Sequence, residues 1–175
     1  MDIKLFCVDC DGTLTDGKYH ITEDGKVSKS FFTRDFYALG ELAKKGIQVF
    51  VATSSKAGII NKKAMRLPYI LNIIAGVSDK KKAIDDFLAV WGATWDNVAY
   101  IGDAENDMEC MKLAGLTCCP HDAIPKIQGV ADFTSKYDGG NGAVWEFANY
   151  VLKLKNNKED ECDKSNGIIT FPDPA

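Results

Sequence analysis

Short, largely apolar runs alternating with stretches of helical spacing constrain this chain more than any other feature. Ile3 to Val8, Ile47 to Ala52, Ile70 to Ala75 and Val98 to Ile101 are rich in the branched and aromatic residues that strands favour. Between and after them, apolar residues recur three and four apart. Ala83, Ile84, Phe87, Leu88 and Trp91 share one face of a helix that Asp79 is placed to cap, and Val144, Phe147, Ala148, Val151 and Leu152 share another. Strands without an inside-outside alternation are buried on both faces. The fold class expected is therefore α/β, a parallel sheet with helices on both faces.

With 175 residues, 46% of them hydrophobic, the chain suffices for one core. The expected domain spans 1–154, its last helix ending near Leu154. From Lys155 to Lys164 the sequence turns charged and poor in hydrophobics, so 155–175 reads as a flexible C-terminal tail, with a final apolar stretch, Gly167 to Pro172, that is a candidate to close the site. A net charge of −4 offers no basic stripe for nucleic acid. No apolar run approaches the roughly 20 residues of a membrane span, and Met1-Asp2-Ile3-Lys4 opens as a strand rather than a signal peptide, so a cytoplasmic protein is expected. Cys7-x-x-Cys10 has no second pair to complete a metal site, and the cysteines read as buried thiols.

One segment departs from the alternation. Lys18 to Thr22 and Lys26 to Phe31 flank Glu23-Asp24-Gly25, a hairpin signal. It makes a small flap after the first strand, and no insertion is long enough for a large cap.

The chemistry gathers at one edge. Ligands bind outside the carboxyl ends of parallel strands. There the first strand delivers Asp9 and Asp11, the run to Ala52 delivers Thr53-Ser54-Ser55, Lys80 follows Ala75, and Asp103 to Asp107 follows Ile101. Singly, each has an ordinary explanation as a turn, a cap or a solvated charge. Their convergence does not. Crowded carboxylates call for a hard divalent cation with oxygen ligands, Mg²⁺, with positions left for a phosphate oxygen. Lys80 and the Thr53 hydroxyl suit a phosphoryl group. Asp9, with an ordinary aspartate's ionisation, would attack phosphorus, and Asp11 would pass the proton to the leaving oxygen.

Asp9-Cys10-Asp11-Gly12-Thr13-Leu14-Thr15, Thr53, Lys80 and Gly102-Asp103-x-x-Asn106-Asp107 resemble the four motifs of the haloacid dehalogenase superfamily of phosphatases. The resemblance implies a Rossmann-like sheet. It also implies Asp9 as nucleophile, Asp11 as acid and base, and Mg²⁺ held by Asp9, the Asp11 backbone carbonyl and Asp103, with Asn106 and Asp107 behind them. Leu14 to Gly17, Phe32 to Asp35, Gly76 to Lys80 and Gly139 to Glu146 are similar to the 3-deoxy-D-manno-octulosonate 8-phosphate phosphatase group and its nonulosonate 9-phosphate relatives. Members lack a large cap and form homotetramers through the hairpins. Their substrate is a phosphorylated sugar acid, for which Thr53, Ser54, Lys62, Lys63 and Lys80 are the candidate contacts.

The chain departs from that group at Thr53-Ser54-Ser55, where Thr-Gly-Arg is usual, at Trp145, where Arg is usual, and at Lys62 and Lys63. Lysine does not reproduce the planar fork of arginine, so the departures bear on the substrate rather than the reaction. The alternatives are a phosphatase of another small sugar phosphate, and a non-catalytic oligomerisation module like that of acylneuraminate cytidylyltransferases. Retention of Asp9, Asp11, Lys80 and Asp103 argues against the module.

Overall fold

The computed structural model describes residues 1–56, 59–60, 67, 69 and 72–165, with 158–165 as helix backbone alone. Strands β1 (Leu5–Val8), β4 (Gln48–Thr53), β5 (Asn72–Ala75), β6 (Val98–Ile101), β7 (Leu116–Cys119) and β8 (Phe133–Thr134) form one sheet in the order β5-β4-β1-β6-β7-β8. Every neighbouring pair is parallel, as the doubly buried runs require. The order reverses at β1, with β4 on one side and β6 on the other. Its carboxyl end is thus the switch point where such sheets open a ligand crevice. β7 and β8 have no counterpart among the runs singled out in the sequence.

Pleating divides the core. Phe6, Val8, Val49, Val51, Ala99 and Ile101 face one side, against α1 (Thr33–Lys44) and α5 (Ala143–Ser165). Leu5, Cys7, Phe50, Ala52 and Tyr100 face the other, where Ile84 and Leu88 of α2 (Lys80–Trp91) and Met111 of α3 (Met108–Leu113) cover them. Asp79 caps α2, accepting the Lys82 N–H at 2.8 Å, and Gly92 closes it in a left-handed conformation. Trp91, placed on the apolar face by its spacing, is 53% exposed at the helix end. A short helix, α4 (Pro125–Gln128), lies between β7 and β8. Cys7, Cys10, Cys110, Cys118 and Cys119 are free, buried thiols. Burial pushes the Cys10 thiol up to about 12, which favours the protonated thiol at neutral pH.

The hairpin forms where it was expected, as β2 (His20–Ile21) and β3 (Val27–Ser28) pairing antiparallel around Asp24-Gly25. All four strand residues are exposed. The final helix differs from expectation: α5 runs to Ser165 instead of ending near Leu154. Lys and Glu, abundant beyond Lys155, propagate a helix without needing a core beneath it. The apolar stretch from Gly167 lies outside the described residues, as do Lys62 and Lys63.

One buried acid ties the two helices of this side together. Asp35, in the first turn of α1, accepts the Trp145 N–H of α5 at 2.8 Å through Oδ1. Its Oδ2 is buried without a hydrogen-bond partner among the described residues. Burial pushes this carboxyl up to about 7.

Candidate active site

β1 ends at Val8, and the chain turns immediately into a loop that presents Asp9 and Asp11 in opposite senses. The Asp9 N–H still bonds to Ile101 O at 3.0 Å, which fixes Asp9 beside the end of β6. From β6 the chain enters Gly102 to Asp107. Asp107 Oδ2 accepts the N–H groups of Asp103 and Ala104, both at 3.1 Å, and so shapes the turn that carries Asp103. A side chain at Gly12 would collide with the Asp103 carboxylate, and one at Gly102 with Asp107. Glycine at 12 lets the two loops close on each other, and glycine at 102 lets the second loop fold back on itself.

Lys80 stands between the acids. Its ammonium donates to Asp9 Oδ1 at 2.5 Å and to Asp107 Oδ1 at 2.6 Å, and Tyr100 donates to the same Asp107 oxygen at 2.7 Å. Asp9, Lys80 and Asp107 are all nearly inaccessible, at 4%, 3% and 0%. Such a lysine stays charged only because it is paired. Burial alone would lower its pKa, but Asp9 and Asp107 hold it above the ordinary value. Asp9 goes the other way. Burial first, then the Asp107 charge, push its carboxyl up to about 8 despite Lys80. Burial and Asp107 likewise raise Asp103, to about 6, against the Thr13 hydroxyl that donates to it at 3.1 Å. Without an ion, this surrounding works against the ionised Asp9 expected from the reference value. A divalent cation among these carboxylates would favour their ionised forms.

The donor set fits such an ion. One carboxylate oxygen each from Asp9, Asp103 and Asp107 lie within 4.8 Å of one another, all hard oxygen ligands. Asp107, assigned a supporting place by resemblance, is thus part of the cluster, though Lys80 and Tyr100 engage its Oδ1. The Asp11 carboxylate stands outside it. Lys29 of the hairpin donates to Oδ1, and Ser55 Oγ donates to Oδ2 at 2.5 Å.

Beside these acids opens a cleft of about 230 Å³, lined by Tyr19, Val27, Lys29 and Phe31 from the hairpin and by Thr53 and Ser55 from the end of β4. Thr53 Oγ1 accepts the Ser55 N–H at 3.1 Å, holding that turn. Ser54 and Asn106 are exposed. Lys29 and Tyr19 were not among the residues singled out from sequence, because charged hairpin arms read as solvated; the only signal was their place in the insertion that follows the first strand.

A cluster of buried acids around a lysine, at the switch point of a parallel sheet and beside an open cleft, defines a metal-assisted hydrolase of the α/β class. Residues 61–147 match the model of the haloacid dehalogenase-like hydrolases. The Escherichia coli K12 3-deoxy-D-manno-octulosonate 8-phosphate phosphatase KdsC is 33% identical over 92% of this chain and 85% of its own length. The crystal structure of the Yersinia pestis enzyme of that name superimposes with a TM-score of 0.84 at 32% identity, covering 90% of this chain and 84% of that one. The Moraxella catarrhalis enzyme of that name, in complex with a magnesium ion, a phosphate ion and a KDO molecule, gives 0.84 at 31% identity, covering 93% and 92%. The chain belongs to the haloacid dehalogenase-like hydrolases, within the group of the 3-deoxy-D-manno-octulosonate 8-phosphate phosphatases. It is a phosphoric monoester hydrolase of that type.

Proposed function

We propose that the chain is a Mg²⁺-dependent phosphatase of a phosphorylated 2-keto-3-deoxy sugar acid, of the octulosonate 8-phosphate or nonulosonate 9-phosphate type, acting through an aspartyl-phosphate. The observation that carries this reading is the convergence of Asp9, Asp103 and Asp107 around the buried Lys80 at the switch point. Asp9, Asp103 and Asp107 offer the carboxylates for the ion, with the Asp11 backbone carbonyl as the ligand that the family resemblance adds. Mg²⁺, when bound, neutralises charge on the transferring phosphoryl group and keeps Asp9 ionised.

The chain's own groups supply the rest. An Asp9 carboxylate oxygen attacks phosphorus, and the bond to the ester oxygen breaks as Asp11 gives that oxygen a proton. Asp11 then takes a proton from water, whose oxygen attacks phosphorus and releases phosphate and the Asp9 carboxylate. Lys80 fixes Asp9, and Thr53 and Lys80 meet the phosphoryl oxygens, with Ser54, Lys62 and Lys63 as candidate contacts to the sugar acid. In Asp9→Asn, which keeps the side chain's shape, turnover should vanish while the melting temperature stays near that of the wild type. Residual turnover above about one part in a thousand would overturn the covalent route.

The assembly proposed is a cytoplasmic homotetramer built on the hairpins. Tyr19, Ile21 and Val27 are 53%, 69% and 45% exposed on a two-stranded ribbon, which is marginal alone. Sedimentation velocity should give a tetramer, and a monomer at micromolar concentration contradicts it. The domain proposed remains 1–154, with 155–175 as an appendage whose first part is helical. Among the described residues, no helix is long and apolar enough to cross a membrane.

A further inference from the structure

We infer that Lys29 and Ser55 are positioning residues for Asp11, so that the hairpin, beyond any part in assembly, aims the proton donor of the site. The inference rests on the proposed role of Asp11.

Asp11 lies in the loop after β1, bonded to two residues that line the cleft, and its side chain keeps 23% of its accessibility. A carboxylate so placed is free to rotate toward solvent, yet a general acid must stay within hydrogen-bond reach of the leaving oxygen. Both of its oxygens are held. Lys29 takes Oδ1 from the hairpin side, and Ser55 takes Oδ2 from the β4 side at 2.5 Å. Lys29 is itself confined. Its side chain is 8% exposed, and its ammonium sits 4.4 Å from the centre of the Tyr19 ring. Tyr19 OH lies 3.4 Å from Ser55 Oγ, which closes a ring of contacts Asp11, Lys29, Tyr19, Ser55. Hairpin and β4 thus meet through one carboxylate.

Two consequences follow from the geometry. Asp11 is kept apart from the Asp9, Asp103 and Asp107 cluster, so its carboxyl is not drawn onto the ion. It is also kept beside the cleft that Lys29 and Ser55 line. Lys29 also lines the cleft, and its part in turnover on this inference runs through Asp11 rather than through binding substrate charge.

Leaving-group dependence reads this directly, because kcat/KM covers the steps up to departure of the ester oxygen. Phenyl phosphate needs a proton on its leaving oxygen and 2,4-dinitrophenyl phosphate does not, and neither carries a carboxylate for a lysine to bind. With the full-length protein and Mg²⁺, Lys29→Met should lower kcat/KM for phenyl phosphate at least about tenfold and that for 2,4-dinitrophenyl phosphate less than about threefold. Ser55→Ala should show the same pattern more weakly, and it stands in if Lys29→Met fails to fold. Adding Lys29→Met to Asp11→Asn should cost no more than about twofold further, since both act through one carboxyl. Equal losses on the two esters, a change confined to KM, or full additivity with Asp11→Asn would overturn the inference. If Asp11→Asn itself leaves phenyl phosphate turnover intact, the role proposed for Asp11 fails instead. If only the Lys29 and Ser55 variants do, that role stands and the positioning fails.

Discussion

Lys80 Nζ lies 2.5 Å from Asp9 Oδ1, a cation buried against the proposed nucleophile and shared with Asp107 at 2.6 Å. Removing one partner of a buried ion pair leaves uncompensated charge and costs about 3–5 kcal/mol. Lys80→Met should therefore destabilise the metal-free protein by about that much, and by clearly less when Mg²⁺ takes over the balancing of charge. It should also lower kcat at least about a hundredfold, the scale of losing one fixed charge at a transition state. Urea unfolding with and without chelator checks the first part. Equal destabilisation in both conditions would show that the ion and Lys80 do not share these carboxylates.

Asp9 and Asp103, pushed up to about 8 and about 6, make ion binding compete with protons. A raised carboxyl holds its proton below the folded pKa, and the ion needs the carboxylate, so affinity must rise with pH through this window. Calorimetric titration from pH 6 to pH 8 should show Mg²⁺ affinity strengthening by up to about tenfold per unit for each proton displaced, with proton release on binding. Affinity independent of pH across that range contradicts the raised values.

Gly12 combines a positive φ of 92° with a Cβ position that falls on the Asp103 carboxylate. Gly12→Ala should cost about 1–3 kcal/mol of stability from backbone strain and, separately, abolish Mg²⁺-dependent turnover by displacing Asp103. Gly46 is the control. Its φ is 76°, yet nothing lies within 4 Å of a built Cβ, so Gly46→Ala should lose stability alone. Comparable activity in the two variants would remove Asp103 from the metal site.

Asp35, pushed up to about 7 by burial, holds its proton in the folded protein well above the ordinary value of 3.8. The folded state then binds more protons than the unfolded one between those values, so this group makes stability fall as pH rises from about 4 to 7. Asp35→Asn keeps the acceptor for the Trp145 N–H and removes the titration. Its unfolding free energy should lack a downward slope of up to about 1.4 kcal/mol per pH unit that the wild type shows. Identical slopes for both proteins would mean that Asp35 is ionised in the fold.

Much of this was legible from side-chain pattern alone. β1, β4 and β6 are contiguous apolar runs, and the carboxyl-end rule alone brings Asp9, Asp103 and Lys80 to one edge. β7 and β8 were not legible. Leu116-Thr117-Cys118-Cys119 is short and lacks the valine, isoleucine and aromatic residues of the other strands, and Phe133-Thr134 is too brief to show a period. Thr117 is accommodated only because Asp132 accepts both its N–H, at 2.6 Å, and its hydroxyl, at 2.8 Å. The reach of α5 was missed because the sequence beyond Lys155 is charged and shows no apolar period. Lys29 on Asp11 was missed for another reason: contacts between a hairpin arm and a strand end are set by how the flap folds back, and no local period encodes that.

The measurement that tests the central claim most directly is phosphate release by the purified chain with Mg²⁺, run against 3-deoxy-D-manno-octulosonate 8-phosphate, a nonulosonate 9-phosphate and glucose 6-phosphate. The account predicts turnover of at least one of the two sugar acid phosphates with kcat/KM about a hundredfold or more above glucose 6-phosphate, lost on chelation of the metal and in Asp9→Asn. Equal rates on all three esters, or release that survives chelation, would contradict it.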